Sequence, residues 1–165
     1  MIRSSVRKLR VNLIHTVALS LSFGCLLQCA GADSPRSLPV RSLAKGAFSG
    51  IREARQEVVR KASDWEKLWR QHGVSAGATE KIPDVDFAKE MVIVATLGTQ
   101  RTGGYSIEVA GVEARGKTLR ISIKKSAPPP GAITIQALTA PFHFVAVPRS
   151  DLKPEFVDAT ADKRK

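Results

Sequence analysis

The chain has 165 residues, 26 Lys and Arg against 15 Asp and Glu, a formal net charge of +11, and only two cysteines. Both cysteines and 4 of the 26 basic residues fall in the first 32 positions, so the remainder carries 22 − 15 = +7 and, lacking cysteine, excludes a disulfide framework. The basic residues are scattered, without interleaved aromatics, which argues against nucleic acid and for an acidic protein or anionic envelope component as partner.

Arg3, Arg7, Lys8 and Arg10 precede an uncharged run from Val11 to Ala32, the layout of a secretory signal peptide, and residues 1–32 are read as one. Ala30-Gly31-Ala32 places the expected cut before Asp33. Gly24-Cys25 and Gln28-Cys29 offer lipidation at Cys25 or Cys29 as an alternative, and the run is also about as long as the roughly 20 residues an uncleaved anchor needs. Each alternative leaves the protein exported, to the periplasm, outer membrane or cell surface, with the membrane touched only through an anchor.

Residues 33–45, with two prolines and three serines, read as a flexible tether, and 46–150 as a single domain. Gln56 to Arg60 is a short strand candidate. Ser63-Asp64-Trp65-Glu66 fits a capping box, and Trp65, Leu68, Trp69 and His72 fall at i, i+3, i+4 and i+7, predicting a helix over about 63–72 that ends at Gly73 and covers a sheet. Val74 to Asp86 has loop composition. Met91 to Leu97 is apolar without alternation, as suits a central strand buried on both faces.

Gly98 to Gly104 forms a loop, followed by an alternating strand from Tyr105 to Ala110 and a second from Leu119 to Lys124. A three-residue turn at 114–116 with Gly116 left-handed pairs Val109 with Ile121 and Ile107 with Ile123. Pro128-Pro129-Pro130-Gly131 cannot enter a ladder and reads as an extended loop. Ile133 to Leu138 and Phe142 to Val147 are the last strand candidates, and 151–165 reads as a disordered tail. One helix and five to seven short strands define a β-rich α+β domain, a small antiparallel sheet or sandwich with one covering helix.

After the leader only His72 and His143 remain as histidines, with no cysteine and no Gly-x-Ser-x-Gly elbow, so no nucleophile and base set is visible. Both histidines read as structural: His72 as a helix-end residue, His143 as a hydrogen-bonded strand residue. No zinc spacing, EF-hand or phosphate loop is found, and no cofactor or metal is expected.

Thr102-Gly103-Gly104-Tyr105 has two readings. It is either a tight turn that only feeds a strand, or a recognition loop in which the glycines admit a partner's backbone and Arg101, Thr102 and Tyr105 supply the contact, joined by Pro130 and Gly131 of the triproline loop. Tyr105 shares the inward phase of Ile107 and Val109, which turns its ring toward the core and leaves the exposed contact to Arg101, Thr102 and the glycine backbone.

The order Gly98-x-x-Arg101-Thr102-Gly103-Gly104-Tyr105-Ser106-Ile107, then Pro129-Pro130-Gly131, then Gln136-Ala137-Leu138-Thr139-x-Pro141-Phe142-His143 resembles the PrcB C-terminal domain family, over roughly Gly46 to Pro148. Arg101 stands where the family usually has Pro. The resemblance implies an exported or lipid-anchored bacterial protein and a non-catalytic subunit or accessory of a protease or other envelope complex. Gln100 to Tyr105 is also similar, in its Thr, Gly and Tyr, to the first binding loop of chagasin-like inhibitors of papain-type proteases, which implies protease inhibition as an alternative. An enzyme of unrecognised type is the third class, which the residues disfavour.

Overall fold

The computed structural model describes residues 34–76 and 81–159. The cut before Asp33 and the lipidation candidates Cys25 and Cys29 lie outside the described residues. The strands are β1 Arg36–Ser37, β2 Arg41–Gly46, β3 Ala54–Val59, β4 Glu90–Leu97, β5 Ser106–Arg115, β6 Thr118–Ser126, β7 Phe142–Pro148 and β8 Lys153–Asp158, with helix α1 Ala62–Ala76 between β3 and β4. They form two four-stranded sheets, ordered β1-β5-β6-β8 and β2-β7-β4-β3.

The apolar run in β4 accounts for the layering. Met91, Ile93 and Ala95 point into the space between the sheets, where they meet Val145 and Val147 of β7 and Ile107, Val109, Val112, Leu119, Ile121 and Ile123 of the facing sheet. Val92 and Val94 point the other way and join Phe142, Phe144, Trp65, Leu68 and Trp69 under α1. A strand buried on both faces needs no alternation, and β4 lies between β7 and β3. The architecture is a sandwich with the helix laid on the outer face of one sheet, as the composition of elements implies.

The helix buries the expected stripe: Trp65, Leu68, Trp69 and His72 are all at or below 6 % exposure. Its ends differ from the sequence reading. Ser63 lies inside the first turn, with the Trp65 amide donating to Lys61 O at 3.1 Å, and Gly73 lies within the helix, which runs on to Ala76. Contact of the stripe with the sheet carries the helix past a residue of poor intrinsic propensity.

The 33–45 tether is corrected from Arg36 onward. Arg36 and Ser37 pair with Ala114 and Glu113, and Arg41 to Gly46 pair with β7. Leu38, Leu43 and Ala44 are the apolar side chains that dock this stretch on the core. The disordered tail is corrected from Lys153 to Asp158, which pairs parallel with Thr118 to Ile123, so the sheet is not wholly antiparallel; Leu152 and Phe156 supply its packing. In both stretches a few apolar residues among charges suffice, because an edge strand buries one side only.

The β5-β6 hairpin also differs. Arg115 pairs with Thr118 across a two-residue loop, Gly116-Lys117, in which Gly116 has φ 54, as a tight hairpin turn requires. A bulge at Ala110 then shifts the register, so that Val109 faces Ile123 and Val112 faces Ile121. The extra residue lets Val109 and Val112, three apart in sequence, both point inward. The expected strand from Ile133 to Leu138 is not one: this stretch has no ladder, and Ile133, Ile135 and Leu138 are 103 %, 59 % and 63 % exposed.

Candidate functional site

One end of the sandwich is built from three loops that follow from the strands. Loop 98–105 prolongs β4 and loop 127–141 leads into β7, and the two stay side by side after their strands end. The Leu97 amide donates to Pro141 O at 2.9 Å, Gln100 and Thr139 exchange backbone bonds of 2.7 and 3.0 Å, and the Gly103 amide donates to Ile135 O at 3.0 Å. The Thr139 hydroxyl closes the seam by donating to Thr102 O at 2.9 Å. The third segment, 47–52, leaves β2 and enters β3; the Ala140 amide donates to Ala47 O at 2.8 Å and the Thr99 amide to Arg52 O at 3.0 Å.

The glycine pair serves this seam. A Cβ on Gly103 would stand 2.5 Å from Ile135 Cγ1, and Gly103 is buried beneath that side chain. Gly104 has φ +85, and a Cβ there would stand 2.9 Å from Pro128 Cβ. The close backbone approach therefore goes to the chain's own loop 127–141, and Gly103 is no longer a contact for a partner. Gly104→Ala is expected to cost about 1–3 kcal/mol, the strain of a left-handed alanine plus the displacement of Pro128, and to lower the urea-unfolding midpoint accordingly.

Of the remaining expected contact residues, Arg101 is exposed, Thr102 half-buried with its carbonyl accepting from the Thr139 hydroxyl, and Tyr105 half-buried just before β5. Pro130 and Gly131 are exposed at the tip of a turn closed by the Ala132 amide on Pro129 O at 3.1 Å. Pro128 brings the triproline loop against Gly104, so the two stretches singled out from sequence are one surface.

Sequence reasoning missed the cavity beside them. Phe48, Ser49, Arg52, Thr99, Leu138, Thr139 and Ala140 line a recess of about 190 Å³, enough for one apolar side chain. Its rim is apolar, with Phe48 52 % and Leu138 63 % exposed. The only signal in the sequence is a lone phenylalanine, Phe48, in a loop of small residues after a strand.

The histidines were the remaining candidates for chemistry. His72 is buried, its Nδ1 2.9 Å from Ser49 Oγ and its ring 4.3 Å from that of Phe142, as a structural residue would be. His143 sits in β7 between the sheets. Its Nδ1 accepts the Val109 amide at 3.0 Å, and its Nε2 is 3.0 Å from Ser42 Oγ. Because Val109 N–H can only donate, Nδ1 must be unprotonated; the neutral ring then carries its proton on Nε2 and donates it to Ser42. A serine nucleophile needs the opposite arrangement, with the imidazole accepting the hydroxyl proton, so this Ser–His pair is set for structure. Both strands that hydrogen-bond the His143 ring are bulged beside it, β2 between Ser42 and Ala44 and β5 between Val109 and Gly111.

Burial, and then the Lys45 charge, push the His143 pKa down, while Glu108 opposes them. Glu108 is itself held below its ordinary value by its hydrogen bond to Lys45, whose Nζ lies 3.1 Å away, and then by that charge. Among the described residues no three His, Cys, Asp or Glu side chains gather as a metal-ligand set. No described helix is long and apolar enough to cross a membrane.

A helix-backed β-sandwich with one end built from interlocked loops is the class these features define. Residues 91–148 match the family model described as PrcB C-terminal, and the Thr-Gly-Gly-Tyr and Pro-Phe-His motifs lie within that stretch. The matched segment spans β4 to β7 and both interlocked loops, a shorter stretch than the expected start at Gly46. No curated protein and no solved structure matches the chain.

Proposed function

We propose that this is a non-catalytic protein-binding module of an exported protein, an accessory or subunit of a protease or other envelope complex. It docks its partner through the end formed by Gly98–Tyr105, Ile133–Leu138 and Phe48. The carrying observation is where the apolar surface lies: of six exposed large apolar side chains among the described residues, Phe48, Ile133, Ile135 and Leu138 collect at this one end. Exposed apolar side chains grouped on neighbouring loops are what an interaction site presents, with Arg101 on loop 98–105 as a charged anchor. The family match and the tautomer of His143 support the accessory, non-catalytic character. The signal-peptide-like composition of residues 1–32 supports export.

The test is partner retention. The tagged full chain, expressed in its own envelope, should hold its partner, and the double variant Arg101→Glu, Leu138→Glu should reduce retention at least tenfold with an unchanged unfolding midpoint. Undiminished retention removes this surface from the reading. Turnover of any substrate that is lost in His143→Ala removes the non-catalytic reading.

A further inference from the structure

The loop end contains a segment, 133–138, that is bonded to a neighbour along one side only among the described residues. From Ile133 to Leu138 no backbone amide donates to a backbone carbonyl among the described residues, although its neighbours at Ala132, Thr139 and Ala140 all do. Six consecutive amides without a backbone acceptor are unusual beside segments that each find one. The reason lies in how β2 ends. β2 follows the outer side of β7 back to Gly46, and Ala47 O takes the Ala140 amide; the chain then departs at Phe48 toward Ile51. Loop 98–103 continues along the other side of 133–139, bonded at Ile135 and Thr139. Along the line that β2 vacates, no described backbone group bonds 133–138.

This edge also lacks the devices that blunt the others. β3 carries Arg55 and Glu57, β8 carries Lys153, Pro154 and Glu155, and Pro39 lies between β1 and β2. Ile133-Thr134-Ile135-Gln136-Ala137-Leu138 has no charge and no proline. The recess between Phe48 and Leu138 opens where β2 departs. Its surroundings are one-signed: residues 98–105 and 127–141 contain no Asp or Glu, and neither Arg52 nor Arg101 joins an ion pair among the described residues.

We propose that a partner's extended segment adds here as a strand in the line vacated by β2. One of its apolar side chains fills the Phe48–Leu138 recess, and acidic residues flanking it meet Arg52 and Arg101. The proposal deepens the docking function given above and rests on it. Main-chain bonds supply the affinity in this mode of recognition, and alternate side chains supply the selectivity.

The probe is a pool of labelled ten-residue peptides with Leu, Ile or Val at alternate positions and Glu at both ends, titrated against the full-length chain. Binding is expected with a Kd in the micromolar range. N-methylation of every second peptide amide in the register that faces the edge should weaken it at least tenfold, with methylation in the other register nearly silent. Replacing the terminal Glu by Lys should weaken it similarly, and that effect should vanish in Arg52→Ala, Arg101→Ala. Because the Ile135 amide edge faces loop 98–103, that of Gln136 faces away, and Gln136→Pro should abolish binding while amide exchange elsewhere stays unchanged. No binding from the pool, or binding indifferent to N-methylation in both registers, overturns strand addition. If partner retention is lost in the Arg101→Glu, Leu138→Glu variant but the peptide results are negative, docking stands and strand addition falls; edge-dependent peptide binding with undiminished partner retention overturns docking at this surface and, with it, strand addition by the partner.

Discussion

Phe144→Ala should lower the unfolding free energy by about 3–5 kcal/mol, a large part of the ~5–15 kcal/mol that keeps an ordinary domain folded. Phe144 is fully buried, and it is the ring on which the helix side of the structure converges. Its centroid lies 5.7 Å from Trp65, 6.3 Å from Trp69, 5.2 Å from His72 and 4.9 Å from Phe142, with the Trp65 contact edge-on at 88°. Truncation would leave a cavity walled by large rigid rings on α1 and β7 that cannot close over it without moving the helix. The two tryptophans of the chain, Trp65 and Trp69, both sit in this cluster, so their fluorescence reports the loss directly during urea unfolding. Phe48→Ala is the comparison. Phe48 is half exposed on the rim of the recess, and its removal should stay within about 0.5 kcal/mol. Similar costs for the two substitutions would mean that the helix is not held by this ring cluster.

How much of this was legible depended on whether a segment's state is decided locally. β4 and the helix stripe announce themselves, because a strand buried on both faces is apolar throughout and a covering helix repeats near 3.6 residues. The edge strands β2 and β8 do not, since Leu43 and Ala44 in one and Phe156 in the other, with Leu38 and Leu152 just before them, are what docks them. The hairpin register was missed for a tertiary reason. The bulge at Ala110 coincides with the Val109 amide turning to His143, a partner 34 residues away on the other sheet. Ile133 to Leu138 has the composition of a strand, and it fails to be one because the neighbour that would pair it departs at Phe48. The Thr-Gly-Gly-Tyr block was visible as a special backbone, yet its glycines answer to Ile135 and Pro128, which no local pattern reveals.

The pH dependence of stability should carry the signature of His143. The folded ring is held neutral, with a pKa below its ordinary value of 6.5, first by burial and then by Lys45. Below 6.5 the unfolded chain binds a proton that the folded one refuses, so the stability conferred by His143 is fully present above that pH. It is lost as pH falls through 6.5 toward the depressed folded value, at no more than about 1.36 kcal/mol per pH unit. Protonation would place a second N–H on Nδ1 facing the Val109 amide, with Lys45 adding repulsion and Glu108 partial relief. At pH 8, His143→Leu should cost about 1–3 kcal/mol, because the Val109 amide is left buried without an acceptor. As pH drops to 5 the gap between wild type and His143→Leu should narrow, since only the wild type has this ring to protonate. Subtracting the two curves removes the titrating groups that do not feel His143; Glu108, which a charged His143 lowers further, already lies below its ordinary value of 4.5 and stays largely ionised between pH 5 and 8. Urea unfolding at both pH values, with the Hε1 resonance of His143 followed by NMR, measures the gap and the pKa together. A gap that does not change with pH, or a ring that titrates at 6.5 or above, would show that Nδ1 is not the acceptor joining the two sheets.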